Sequence, residues 1–170
     1  KKIQLVEYDT KSDTAETTTL SAKLMTQDKV VAIIGPATSG GMKAQIQLSA
    51  KNSVPIVSGS ATADDLTVSN GKLNDFIFRT CFTDSYQGTV MANYAASKLN
   101  AKTAVVLKDT SSDYAKGLAD NFDKQFTAKG GQVVATEAYT AKQTDFNAVL
   151  TKLKGQQFDI MYVPGYYEEL

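Results

Sequence analysis

Two short segments hold the residues best suited to gripping a small polar ligand. Gly35-Pro36-Ala37-Thr38-Ser39-Gly40-Gly41 follows an apolar run at 30–34 and opens a helical pattern. A glycine-rich strand-to-helix turn leaves backbone N–H groups unpaired at the positive end of a helix, which suits an anion. The Ser39 hydroxyl can add a donor there, although Thr38 or Ser39 capping the helix is the more frequent use of such residues. Ser58-Gly59-Ser60-Ala61-Thr62 follows a second apolar run at 54–57. Its small side chains let a ligand approach the backbone, and the hydroxyls of Ser60 and Thr62 can donate or accept. A polar loop capping the next turn accounts for the same residues equally well.

Two later segments bear tyrosines. Lys108-Asp109-Thr110-Ser111-Ser112-Asp113-Tyr114 follows a third apolar run, and Pro164-Gly165-Tyr166-Tyr167 a fourth. Tyr114 heads the row Tyr114, Leu118, Phe122, Phe126, which favours a core position over a cleft. Paired tyrosines at a strand end offer apolar faces with hydroxyl tips, a common lining of small-ligand sites. Packing between lobes is the alternative use.

Other chemistries find little support. The 170 residues include no histidine, so the commonest general base and metal ligand is missing. Cys81 stands alone, and neither an internal disulfide nor a cysteine zinc cluster is available. Ser39 and Lys43 are four apart, not the Ser-x-x-Lys spacing of lysine-activated serine enzymes. Asp64, Asp65, Asp109 and Asp113 lie in polar loops and are expected to be solvated, not metal-bound. No Gly-Lys-Ser/Thr or Gly-x-Gly-x-x-Gly motif marks a nucleotide site. The 18 basic and 18 acidic residues balance, and Arg79 is the only arginine, which argues against nucleic acid as a partner. No cofactor, metal or catalytic role is therefore expected. No stretch reaches the ~18 apolar residues of a membrane span, and Lys1-Lys2 runs directly into a strand pattern, as in a chain cut upstream.

The elements that must position these turns alternate strand and helix. Strands are expected at 3–7, 30–34 (buried on both faces), 54–57, 76–79, 103–107, 132–139 and 158–163. One helix starts on Asp13, with Glu16 completing a capping box and Leu20, Ala22, Leu24 and Met25 as its apolar face. A second starts near Gly40 with Met42 and Ile46. A third carries Val90, Met91, Tyr94, Ala95 and Leu99, and a fourth Tyr114 to Phe126. A fifth is capped by Thr144 or Asp145 and carries Phe146, Val149, Leu150 and Leu153. Such alternation implies an α/β fold with parallel sheets and helices on both faces. The rhythm restarts after Arg79, which predicts two lobes, 1–80 and 81–170, with ligands beyond the carboxyl ends of their strands. A cleft between lobes would bring the hydroxyl-bearing and tyrosine-bearing turns together.

The segments 35–39, 55–62, Phe78-Arg79-Thr80, 113–119, Thr144-Asp145-Phe146 and 165–169 resemble, in order and spacing, the leucine/isoleucine/valine-binding proteins of ABC transporters. These form the branched-chain amino-acid group of type I periplasmic-binding proteins, and the resemblance runs over essentially the whole chain. It implies an extracytoplasmic receptor, in the periplasm or lipid-anchored at the cell surface, that captures an amino acid or similar zwitterion for a permease by hinge closure. Ser39 would bind the α-carboxylate, Thr62 both carboxylate and ammonium, and the Ser60 carbonyl the ammonium. Ala37, Thr38 and Ala61 would line the site, and Tyr114 and Tyr166 would close over the ligand. In the family a strand and helix precede the position of Lys1, and much of the second lobe follows that of Leu170. The chain thus resembles an internal portion of such a protein, with both lobes partial, and self-association is expected to cover its open edges. A ligand-sensing regulatory domain of a receptor or transcription regulator on the same fold is the alternative function.

Overall fold

A computed structural model describes residues 2–169 of the chain. They fall into two compact units, Lys1–Cys81 and Phe82–Leu170.

In the first unit, helix α1 (Thr14–Thr26) starts where the Asp13 carboxylate accepts from the Glu16 N–H at 2.7 Å. Only half of the expected capping box forms, because the Asp13 N–H donates to Thr10 O instead. The buried face of α1 is Thr17, Ser21 and Met25; of the anticipated apolar set Met25 is buried and Leu24 packs against the core, while Leu20 and Ala22 are only half-buried. Thr17 and Ser21 tolerate burial because their hydroxyls donate to the carbonyls four residues back, at 2.7 and 2.6 Å. Helix α2 (Ser39–Asn52) packs on α1. Strands β1 (Ile33–Ile34) and β2 (Ile56–Ser58) pair in parallel. The antiparallel hairpin β3 (Val68–Ser69) and β4 (Lys72–Leu73) follows. Strand β5 (Ile77–Arg79) then completes the parallel order β1-β2-β5. Ile33, Ile56 and Ile77 join Met25 and Met42 in one core.

Three expectations fail in this unit. The segment 3–7 forms no strand, since it has no ladder partner among the described residues, and Ile3 and Leu5 are exposed. The run 30–34 yields only a two-residue strand, and it is not buried on both faces, because alternation turns Ile34 away from the helices. Ile34, 86 % exposed, and Phe78 lie on that opposite face, which neither α1 nor α2 covers. The hairpin itself was not anticipated. Its turn, Asn70-Gly71 with φ of 52° and 74°, is the left-handed pair that a two-residue hairpin requires.

The second unit opens with α3 (Asp84–Asn93), capped by the Thr83 hydroxyl on the Tyr86 N–H, and continues into a π-helical turn, Tyr94–Lys98. Strand β6 (Thr103–Asp109) leads to α4 (Asp113–Ala128), β7 (Gln132–Tyr139), α5 (Asn147–Leu153) and β8 (Ile160–Tyr162). The strands are parallel in the order β7-β6-β8. On α4, Leu118, Phe122 and Phe126 are buried as expected, but Tyr114 is only half-buried.

On α3 the buried face is Asp84, Gly88 and Ala92, continued by Ala95, while Val90, Met91, Tyr94 and Leu99 are exposed. Close approach of α4 is the reason. A Cβ at Gly88 would stand 2.6 Å from Asn121 Cβ, and one at Gly117 would stand 2.5 Å from Asp84 Oδ2. Small residues, not the apolar stripe, make this crossing. Helix α5 starts one residue later than a cap at Asp145 would give: Phe146 holds the cap position, and Asp145 Oδ1 accepts from the Asn147 N–H at 2.9 Å. Among the described residues no helix is long and apolar enough to cross a membrane.

Candidate functional site

The turns singled out in the first unit leave the carboxyl ends of neighbouring parallel strands, as the pairs Ile34–Val57 and Ser58–Arg79 in the register show. Gly35 carries a φ of 104°, a conformation that L side chains rarely adopt, and its N–H donates to Val57 O at 2.8 Å. Thr38 is the helix cap, its hydroxyl accepting from the Gly41 N–H at 3.2 Å. Any side chain at Gly41 would collide with Pro36, so the capped turn closes tightly on itself. This frees Ser39 for another role: its hydroxyl oxygen accepts from the Ala63 N–H at 3.1 Å, tying the first turn to the second. Having accepted, the hydroxyl keeps its own proton to give. The N–H groups of Ser39 and Gly40 open the first turn of α2, where no intrahelical acceptor exists.

Ser58 is the second tie, and its part was not foreseen. Fully buried, its hydroxyl donates to Pro36 O at 2.8 Å and accepts from the N–H groups of Ala61 at 3.1 Å and Ser60 at 3.3 Å. The Ser60 hydroxyl is also spent on structure, donating to Ala37 O at 2.8 Å. Residues 61–63 have no regular structure, yet all three are buried. Their carbonyls are collected by β5 and the residues after it: Cys81 Sγ lies 3.3 Å from Ala61 O, and Arg79 Nη1 donates to Thr62 O at 3.1 Å and Ala63 O at 2.7 Å. The Thr62 hydroxyl, by contrast, is buried without a hydrogen-bond partner among the described residues. Ala37, Thr38, Ser39, Ser60, Ala61 and Thr62 are thus joined in one hydrogen-bonded pair of turns. These turns offer N–H groups, hydroxyls and carbonyls but no charged side chain, which suits a ligand carrying both charges itself.

In the second unit Tyr114 is not a core residue but stacks on Tyr166, centroids 5.2 Å apart at 24°, and its hydroxyl accepts from Gln87 Nε2 at 3.3 Å. Partial burial, then the nearby Tyr114, Asp84 and Asp109, push the Tyr166 phenol, whose residue is still 38 % exposed, up to about 12. Burial also raises Tyr162, aided by Tyr114 and Asp84. Both phenols therefore remain protonated, as donors, through the neutral range. Tyr167, the other half of the tyrosine pair, is 85 % exposed. Asp109, expected to be solvated, is buried at the end of β6, where Oδ1 accepts from the Ser111 N–H at 2.8 Å and hydroxyl at 2.6 Å. Asp84 and Gln87 beside the tyrosines had not been singled out. The one available signal was the Asp84-x-x-Gln87-Gly88 run opening a helix shortly after a strand end.

The description "periplasmic binding protein" belongs to the family model that matches residues 1–166. The Leu/Ile/Val-binding protein BraC3 of Rhizobium johnstonii is 34% identical over 149 residues, 88% of this chain and 40% of that protein. Among solved structures, the branched-chain amino acid transporter substrate-binding protein LivJ of Streptococcus pneumoniae, in complex with isoleucine, is 46% identical with a TM-score of 0.86; 96% of this chain covers 45% of it. The leucine-binding protein LivK of Thermotoga maritima is 35% identical with a TM-score of 0.88, at 95% and 45% coverage. The chain therefore spans less than half the length of the relatives it matches. Its parallel α/β units have the type I fold of these structures, and with the match over 1–166 they show that the chain belongs to the periplasmic binding protein family.

Proposed function

We propose that this chain supplies the amino-acid-recognising turns of an extracytoplasmic receptor that hands its ligand, chemically unchanged, to an ABC importer. The observation that carries the reading is the linkage of the two turns in the first unit. The first turn of α2 and the residue next to Thr62 share the Ser39 hydroxyl, while the Thr62 hydroxyl is buried and unengaged. A ligand carboxylate fits the N–H groups of α2 and the Ser39 proton. An ammonium fits the Ser60 carbonyl, with the Thr62 hydroxyl serving either charge. Ala37, Thr38 and Ala61 are small enough to line such a ligand. Tyr114 and Tyr166 are proposed to contribute a stacked aromatic surface to the same ligand. Fixed backbone dipoles hold both charges without a net buried charge on the protein.

Isothermal calorimetry of the full-length protein with a panel of aliphatic and aromatic amino acids tests this reading. Binding of at least one member is expected, weakened about 10- to 100-fold by Ser39→Ala, because the lost bond is to a charged group. A full-length protein that binds none of them ends the reading. We also propose that the isolated chain self-associates through the sheet face bearing Ile34 and Phe78, both exposed. A monomer in sedimentation at high concentration counts against that.

A further inference from the structure

We infer that Arg79 is a positioning residue for ligand binding: without touching the ligand, it sets the peptide between Thr62 and Ala63 and thereby strengthens the Ser39 hydroxyl as a donor. The inference rests on the amino-acid reading above and names a residue that reading does not use.

The geometry forms a continuous chain of hydrogen bonds. Arg79 Nη1 donates to Thr62 O at 3.1 Å. The other side of the same peptide unit, the Ala63 N–H, donates to Ser39 Oγ at 3.1 Å. The Ser39 hydroxyl, 1 % exposed, keeps its proton for the next acceptor. A cation on a peptide carbonyl draws electron density towards the oxygen and makes the attached N–H a better donor. An oxygen that accepts from a stronger donor gives up its own proton more readily. In a site shielded from water these polarisations add along the chain.

Arg79 suits this role for two reasons. It is the Cα partner of Ser58 in the β2–β5 register, so its side chain starts beside the strand end from which 59–63 departs. Its Nη1 also carries two N–H groups at a fixed angle, and they serve two successive carbonyls, those of Thr62 and Ala63, which are 5 % and 3 % exposed. The segment 61–63 belongs to no helix or strand, so these bonds, with those from Cys81, Ser58 and Ser39, hold it in place. Every other cationic side chain in the sequence is lysine.

The test is a double-mutant cycle on the full-length protein, using calorimetric titration with whichever amino acid the wild type binds. Arg79→Met and Ser39→Ala are each expected to weaken binding by about 10-fold or more. The double variant should bind within about 3-fold of the weaker single, because both changes cut one chain. Arg79→Lys should recover part of the loss. Losses that multiply in the double variant, or an Arg79→Met affinity within 2-fold of wild type, overturn the inference. If Arg79→Met does not fold, Arg79→Gln, which also removes the cation, takes its place in the cycle with Ser39→Ala and is judged by the same two criteria. A wild type that binds no amino acid removes the amino-acid reading and this inference with it, whereas a binding wild type with additive variants removes this inference alone.

Discussion

Replacing Ser58 by alanine removes one atom from the first unit and leaves three groups without their partner. The Ser58 hydroxyl is fully buried and holds Pro36 O, the Ala61 N–H and the Ser60 N–H. Ser60 is exposed, so water replaces its lost bond at little cost. Ala61 is completely buried and Pro36 partly so, and their groups stay stranded. A buried polar group left unpaired costs about 1–3 kcal/mol, and the lesser burial of Pro36 discounts its share, so Ser58→Ala should destabilise by about 2–4 kcal/mol. Ser60→Ala is the control: it also removes a bond between the turns, to Ala37 O, but from an exposed residue, and should cost about 0.5 kcal/mol or less. Urea unfolding of the ligand-free full-length protein, followed by circular dichroism, measures both. A Ser58→Ala variant within about 0.5 kcal/mol of Ser60→Ala would refute the claim that this hydroxyl organises the turns.

Gly117→Ala should destabilise by about 1–3 kcal/mol, since the new methyl would fall 2.5 Å from Asp84 Oδ2 where α3 and α4 touch. Gly155→Ala, with nothing within 4 Å, should change the melting temperature little. The Asp159 carboxylate accepts from the Lys102 and Thr103 N–H groups, which hold its pKa below the usual carboxylate value. Its stabilising contribution is present above the unfolded-state value and is lost as pH falls through the folded one, so Asp159→Asn should flatten the acid limb of a stability–pH curve. Thr62→Val keeps the side-chain shape and removes a buried hydroxyl without a partner. It should stabilise the ligand-free protein against urea unfolding by about 1 kcal/mol, while weakening amino-acid binding in calorimetry.

Much of the architecture was visible in the residues. The runs ending at Ile34, Val57, Arg79 and Leu107 mark parallel strands because short apolar runs alternating with helical patterns fit sheets built by strand–helix crossovers. The cap at Asp13 and the row Leu118, Phe122, Phe126 formed as the spacing predicted. The failures share one cause. A pattern along the chain reports what an element can bury, and its neighbours decide what it does bury. In α3 and the turn after it the stripe of Val90, Met91, Tyr94, Ala95 and Leu99 was available, but Gly88 and Ala92 offered α4 a closer approach, and of the stripe Ala95 alone was buried. At 3–7 the alternation was adequate, but a strand needs a ladder partner.

The candidate site was legible to a different degree, because its hydroxyls are chemically alike in the sequence and unlike in the fold. Thr38, Ser39, Ser58, Ser60 and Thr62 can all donate and accept. Their division of labour follows from where the β1–β2–β5 register places the strand ends. Thr38 turns back on its own helix, Ser58 bridges to Pro36, and Ser60 reaches Ala37. Only once those are assigned does Ser39 emerge as a tie with a proton to spare, and Thr62 as a buried hydroxyl with no partner among the described residues. An unpaired hydroxyl in the interior lowers stability by about 1–3 kcal/mol, and a ligand that meets it recovers that deficit on binding. In the proposed reading, Thr62 is thus the place where the two turns give up some stability of the empty protein in a form that a ligand would restore, a role proper to a binding residue and not to a cap.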